Sequence, residues 1–382
     1  MALLTDDLRT MLEDSVERFI RDQYDFHARQ ALVATDAGYS ARHWAQFADM
    51  GWLGIPFEEQ HGGMGGSIVD TLGLMRRFGR GLVVEPYLAV VGLAGQALAG
   101  ADNAEASGAL LPALVAGEAL PVMAWEEAAS RGNPSWVELR ATESGGEWRL
   151  DGEKITVLNA PQASHFVVSA RVAGGPADAD GIELFLLPAT ADGLGVTGFP
   201  TMDGHRAGLV RLQSAQAERL TQDNRGGPLL RRVLEQACLM LVAEGVGLME
   251  SLLQRTVDYT RTRRQFGVPI ASFQALQHRM ADMYIATTQA ENLLDLTAAR
   301  WRPGADNSEA AALLKAQLCA SGRYVGQQAI QLHGGIGMTD ELDVGHYFKR
   351  LTALGLLFGD ETVQRRRIWQ QHSNAGAGAV GA

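Results

Sequence analysis

The spacing of apolar residues changes twice along the chain. Leu8, Met11, Leu12, Val16, Phe19 and Ile20 recur at short helical intervals, the period of an amphipathic helix. Trp44, Phe47 and Met50 repeat it, and the pattern predicts further helices over 68–98 and 105–116. Residues 1–120 therefore read as an N-terminal helical domain. Within it, "PFEEQHGGMGGS" (56–67) is a turn that uses the permissive backbone of glycine. It has no Walker lysine and is not a G-x-G-x-x-G entering a helix.

Across 121–225 the period falls to two. "EWRLDGEKITVL" alternates on either side of Asp151-Gly152, and that dipeptide predicts a hairpin turn. "HFVVSARV", "GIELFLLPA" and "AGLVRLQSA" follow as strands between Gly, Pro and Asp clusters. This predicts a compact antiparallel β domain. From 226 to 372 the helical period returns. Residues 228–260 lack an interior proline, and 271–300 place Phe273, Leu276, Met280, Met283 and Tyr284 on one face. Residues 306–333 and 341–371 complete a set of long helices, which predicts an antiparallel four-helix bundle. "SNAGAGAVGA" (373–382) reads as a disordered tail. The fold class is α+β, mainly α: N-terminal helical domain, central antiparallel β domain, C-terminal four-helix bundle. No internal repeat is evident.

Composition narrows the function classes. The 382 residues carry a formal net charge of −11, which argues against a nucleic-acid partner, since such domains are usually basic. The two cysteines, Cys238 and Cys319, lie in apolar helical stretches and read as buried thiols. No apolar run reaches the roughly 18 residues of a membrane span. The N-terminus is an acidic amphipathic helix rather than a signal peptide, so a cytoplasmic setting is expected.

Three stretches carry candidate chemistry. "RTRRQFGVPIASFQ" (261–274) clusters Arg261, Arg263 and Arg264 beside Phe266. Guanidinium forks suit a phosphate group, but a basic helix end also complements its own dipole. "QLHGGIGM" (331–338) offers Gly334, Gly335 and Gly337, either for close ligand approach or as a helix cap and turn. His333 has no second ligand at metal spacing, so no metal site is expected. "GDETVQRRR" (359–367) places Asp360 and Glu361 side by side, as a catalytic base or as a helix surface.

In this order, and with "PFEEQHGGMGG" and "LDGEKITVLNA" upstream, these stretches resemble the acyl-CoA dehydrogenase family over nearly the whole chain. The resemblance implies FAD, held where the domains of family members meet, and a dimer or tetramer. Arg263, Gln265, Phe266 and Gln274 are similar to residues that reach a neighbouring subunit's FAD. Gln331, Gly334 and Gly335 are similar to adenosine-side contacts, Asn159 remains from the β-domain flavin motif, and Thr362 and Gln364 match a cofactor-facing T-x-Q. The implied reaction is α,β-desaturation of an acyl-CoA in fatty acid β-oxidation. A carboxylate takes the α-proton, a hydride passes to flavin N5, and electron-transfer flavoprotein accepts the electrons.

Three departures from the family pattern stand out. The terminal motif is "GDET" where the family resembles Glu-Gly-Thr. Asp360 then stands at the base position and Glu361 replaces a glycine, after a segment about two residues longer than usual. Asp is shorter than Glu by about 1.5 Å, a displacement that can cost about a hundredfold in rate. Next, "GEKITVLNA" puts Thr156 and Leu158 where the family has Trp and Thr against the flavin ring. Lastly, "WEEAASRGN" (125–133) replaces a T-E-P-x-x-G-S-D loop. The alternative base position on the first bundle helix falls near Ala237, and Glu235 and Glu244 read as structural. Two readings follow. One is a self-sufficient dehydrogenase using Asp360 or Glu361. The other is an incomplete subunit of a heterotetramer, similar to the small subunit of pimeloyl-CoA dehydrogenase, lending its FAD-binding residues to a related chain. An oxidase or flavin monooxygenase on the same scaffold is a third, with no residue that singles it out.

Overall fold

A computed structural model describes residues 3–379. In chain order the helices are α1 (Asp6–Gln23), α2 (Phe26–Val33), α3 (Ala41–Asp49), α4 (Leu72–Gly81), α5 (Gln96–Ala99) and α6 (Ala104–Val115). Seven strands come next, then α7 (Gly226–Thr262), α8 (Gln274–Arg300), α9 (Ser308–His333), α10 (Val344–Leu356) and α11 (Glu361–Ala379). Helices, sheet and helices thus follow in the expected order. The expected helix over 68–98 is divided. Leu82 adopts φ 53°, Pro86 follows, and residues Leu88–Gly95 form a fully buried π-helix.

The chain forms two compact units, one of residues 1–9, 30–71 and 84–237, the other of 10–29, 72–83 and 238–382. The first contains the sheet. Its strands are β1 (Pro121–Ala124), β2 (Arg140–Ser144), β3 (Glu147–Leu158), β4 (His165–Arg171), β5 (Ile182–Pro188), β6 (Leu194–Pro200) and β7 (Arg206–Arg219). They are ordered β1-β4-β2-β3-β7-β5, and β4 also pairs with β5, so five strands close on themselves. Pairing is antiparallel except that β4 runs parallel to β1 and β2. Alternate residues such as Phe166, Val168, Phe185, Leu187, Val210 and Leu212 fill the interior.

The hairpin turn does not lie at Asp151-Gly152. β3 runs straight through that dipeptide, with a register shift between Leu150 and Gly152. The turn is Gly145-Gly146, with φ 64° and 85°, linking the Ser144–Glu147 pair as a two-residue hairpin requires. Gly152 serves another need: a Cβ there would come within 2.9 Å of the Leu139 backbone.

One charged cluster is sealed inside this unit. Lys154 donates to Glu127 (2.6 Å), Ser169 Oγ (3.0 Å) and the Trp125 carbonyl (3.2 Å). Glu127 also accepts the amides of Glu138 and Leu139. Burial pulls the Lys154 ammonium down to about 8 against the opposing pull of Glu127.

In the second unit α9 packs against α8, α10 and α11. α4 and α7 approach at Gly79 and Gly247, where an added Cβ would strike backbone of the other helix. Glu244 on α7 forms a buried two-bond pair with Arg350 on α10, at 2.6 and 2.9 Å. That pair gives it the structural role expected of it. α7 is long and apolar enough to cross a membrane, but most of that stretch is buried inside the fold. The single helix expected over 341–371 is two helices. Phe358 (φ 60°) and Gly359 (φ 95°) reverse the backbone hand between them. α11 continues to Ala379, so the backbone of 373–379, expected as tail, is helical; residues 380–382 lie outside the described residues.

Candidate cofactor and acyl-thioester site

Past Thr262 the chain leaves α7 and makes a small hairpin of β8 (Arg264–Gln265) and β9 (Val268–Pro269). Its two turn residues, Phe266 (φ 53°) and Gly267 (φ 83°), are both left-handed. That conformation is costly for a bulky aromatic. Phe266 is 91% exposed, and its ring stands edge to face with that of Phe273, centroids 6.1 Å apart. Arg263, Gln265 and Gln274 are exposed. None of their side chains has a hydrogen bond or ion pair among the described residues. The hairpin is an arm on which Arg264 donates to the Gly267 carbonyl at 3.1 Å, while Arg263, Gln265 and Gln274 keep their side-chain polar groups open among the described residues.

The C-terminal end of α9 lies beside the root of this arm. His333 stacks on Tyr259 of α7 with ring centroids 4.4 Å apart. It also bonds the Ala329 carbonyl at 2.8 Å, and burial pushes its imidazole down. It is a structural histidine, and no group of metal ligands occurs among the described residues. Around it, Gln331, Gly334 and Gly335 are exposed. A Cβ built on Gly334 or Gly335 would meet nothing within 4 Å. Gly334 needs its glycine for φ 65°, but nothing in this chain's packing requires one at Gly335. An unpaired guanidinium, free amides and an open glycine edge fit the diphosphate and adenosine of a dinucleotide held from outside.

The joint between α10 and α11 is built differently. Asp360 is exposed, and its Oδ1 accepts the Val363 amide at 3.0 Å, the bond of a helix N-cap. Glu361 is bound by Arg323 (2.6 Å) and Arg365 (2.8 Å), and the hydrogen bonds from those two arginines hold its carboxyl below the usual range. Its negative charge also suits the first turn of α11. Gln364 turns inward, 1% exposed, and donates to the Phe358 and Gly359 carbonyls at 2.9 and 3.1 Å. Thr362 stays exposed. A cavity of about 510 Å3 opens beside the joint, bordered by Asp360, Glu361, Thr362, Arg323, Cys319 and Gly355.

The β-domain residues form a separate group in the other unit. Thr156 has φ 50° in a bulge of β3 between Lys154 and Val157, and Leu158 is half-buried. Neither supplies an aromatic face. Asn159 is buried with φ 55° and starts a short 3-10 turn. Glu126 is half-buried without any side-chain partner among the described residues, and burial pushes its carboxyl up. Sequence reasoning did not pick out the Lys154–Glu127 pair around it. Lys154 lies in the middle of β3 and Glu127 in the loop after β1, so no local spacing links them.

Residues 6–118, 124–214 and 224–372 match the family models for the N-terminal, middle and C-terminal domains of acyl-CoA dehydrogenase. The chain is 29% identical to the acyl-CoA dehydrogenase IpdE2 of Mycobacterium tuberculosis, over 95% of this chain and 98% of that one. Among solved structures, a variant of the steroid ACAD Tcur3481–Tcur3483 matches with TM-score 0.89 and 28% identity, covering 97% of this chain and 99% of that one. The ChsE4–ChsE5 complex of M. tuberculosis matches with TM-score 0.87 and 26% identity, covering 98% and 99%.

Proposed function

The chain belongs to the acyl-CoA dehydrogenase family, FAD-dependent oxidoreductases of the CH–CH group of acyl-CoA, and from that premise we propose that it works as the cofactor-clasping subunit of a heteromeric member. The observation that carries this reading is the bonding of the terminal carboxylates. A base for a weakly acidic α-proton needs a carboxyl raised toward the working pH in a dry pocket. Asp360 is exposed and caps a helix, and Glu361 is held low by Arg323 and Arg365. The α-proton is therefore taken by a carboxylate of a related partner chain.

This chain's residues act on binding and orientation. Arg263 pairs with the diphosphate of the partner's FAD as a charge-assisted fork. Phe266 and Phe273 give the cofactor an apolar edge, and Gln331, Gly334 and Gly335 let backbone approach its adenosine. FAD, when bound, would supply the hydride acceptor, with electron-transfer flavoprotein as the electron acceptor. The cavity beside Asp360 favours a second reading, a homomer with Asp360 as base.

The test is flavin per protomer and acyl-CoA-dependent bleaching, for the chain alone and co-expressed with a related chain. The reading expects little flavin alone, restored flavin and turnover together, and less than about threefold loss on Asp360→Asn, since Asn caps nearly as well as Asp. Full flavin and rapid turnover of the lone chain would sink it, as would loss of bleaching in Asp360→Asn.

A further inference from the structure

We propose that Lys315 is a positioning residue that sets where Asp360, Glu361 and Thr362 stand along the cavity wall. Lys315 lies on α9, fully buried, and none of its hydrogen bonds among the described residues goes to a carboxylate. Its ammonium has three donors, and all are used: Gly355 O at 2.9 Å, Gly359 O at 3.1 Å and Cys319 Sγ at 3.2 Å. A buried ammonium without a counter-charge costs several kcal/mol unless fixed dipoles replace its water. Here the dipoles belong to the joint. Gly355 O is among the last carbonyls of α10, the negative end of that helix. Gly359 O belongs to the left-handed turn that precedes α11.

The same turn is held from the other side. Gly359 O also accepts from Gln364, so two side chains meet on one carbonyl. Phe358 holds a left-handed conformation that is unfavourable for its residue type, and such strain persists only where surroundings over-determine it. Lys315 and Gln364 are that surrounding. Cys319 and Gly355, two of the three partners of Lys315, border the cavity. The charge thus lies one layer behind the wall, acting through the backbone and not on a ligand. That the wall bears on turnover rests on the second reading above, a homomer with Asp360 as base. That Lys315 holds the joint rests on neither reading.

The experiment has one arm for each. Hydrogen–deuterium exchange of residues 355–364 is measured in the full chain as wild type and Lys315→Met, which keeps volume and loses the donors. Exchange at Val363 and Gln364 should rise at least ~10-fold, the loss of one charged hydrogen bond or more, with the sheet unchanged. In Lys315→Ala, n-propylammonium should slow that exchange again and 1-propanol should not. If Lys315→Met does not fold, Lys315→Gln, which keeps a neutral donor, takes its place. Under the second reading, a flavin-loaded lone chain, the variant should lose kcat by ~10-fold or more with KM for acyl-CoA nearly unchanged, the pattern of misplaced groups; in the co-expressed complex, where the partner supplies the base, turnover should stay within about threefold. Wild-type exchange in the variant overturns the proposal. So does equal rescue by propanol. A wild-type complex without flavin counts against the proposed function instead, and the exchange arm still judges Lys315.

Discussion

The arm at 263–274 and the joint at 357–364 belong to one unit, and both carry residues that resemble cofactor contacts, but their bonding is opposite. In the joint, Asp360, Glu361 and Gln364 spend their polar groups on their own chain. In the arm, Arg263, Gln265 and Gln274 have no side chain so spent among the described residues, and a phenylalanine stands in solvent. A group already bonded must first lose that bond to serve a ligand. A group left open marks where something from outside completes the structure. The contrast predicts that substitutions in closed regions lower stability and those in open regions lower binding.

The largest effect should come from the most closed cluster. Glu127→Ala leaves Lys154 buried without its counter-charge and should cost about 3–5 kcal/mol of unfolding free energy; a denaturant midpoint near wild type would break the contrast. At the open end, Arg263→Ala should weaken flavin binding by the complex roughly 10- to 150-fold, from about 1.5–3 kcal/mol for a charged hydrogen bond. The flavin-free chain should keep its stability within about 0.5 kcal/mol. Gln364→Leu leaves the Phe358 and Gly359 carbonyls short of a donor and should cost about 1–3 kcal/mol of stability, measured by thermal unfolding without flavin.

Titration sharpens the same point. The folded Lys154 value of about 8 lies below the ordinary 10.5. Between those values the unfolded chain binds the extra proton, so stability rises with pH there, by at most about 1.4 kcal/mol per unit. Lys154→Met should lose that slope. The smallest effect concerns the cap. Asp360→Ala should cost about 1 kcal/mol and Asp360→Asn only a few tenths; a larger loss from Asn would mean the carboxylate charge itself matters.

The blocks of the fold were legible because the apolar period changes at their boundaries. The arm was legible as arginines and aromatics crowded at a helix end. The hairpin turn was misplaced because Asp151-Gly152 carries the same turn chemistry as the true turn at Gly145-Gly146. Only strand register tells them apart. The break before α11 was hidden because Tyr347, Leu351, Leu354 and Phe358, all buried, continue the helical period through it. Gly359 followed by Asp360 was its one local sign, a left-handed residue and then a cap. Glu127 and Lys154 lie too far apart in sequence for their pairing to be read.

The turn at Phe358 and Gly359 is fastened by its carbonyl oxygens as well as by the buried Phe358 ring. Every amino acid brings the same carbonyl, so the path of the chain there is nearly indifferent to which residues occupy Asp360 and Glu361. A protein so built can gain or lose a reactive group at this place by single codon changes while its shape stays put. Mutational drift and repair of chemistry then proceed on an unmoved scaffold. An engineer seeking to restore a glutamate base would have a ready-made mount, with only the left-handed pair to leave untouched.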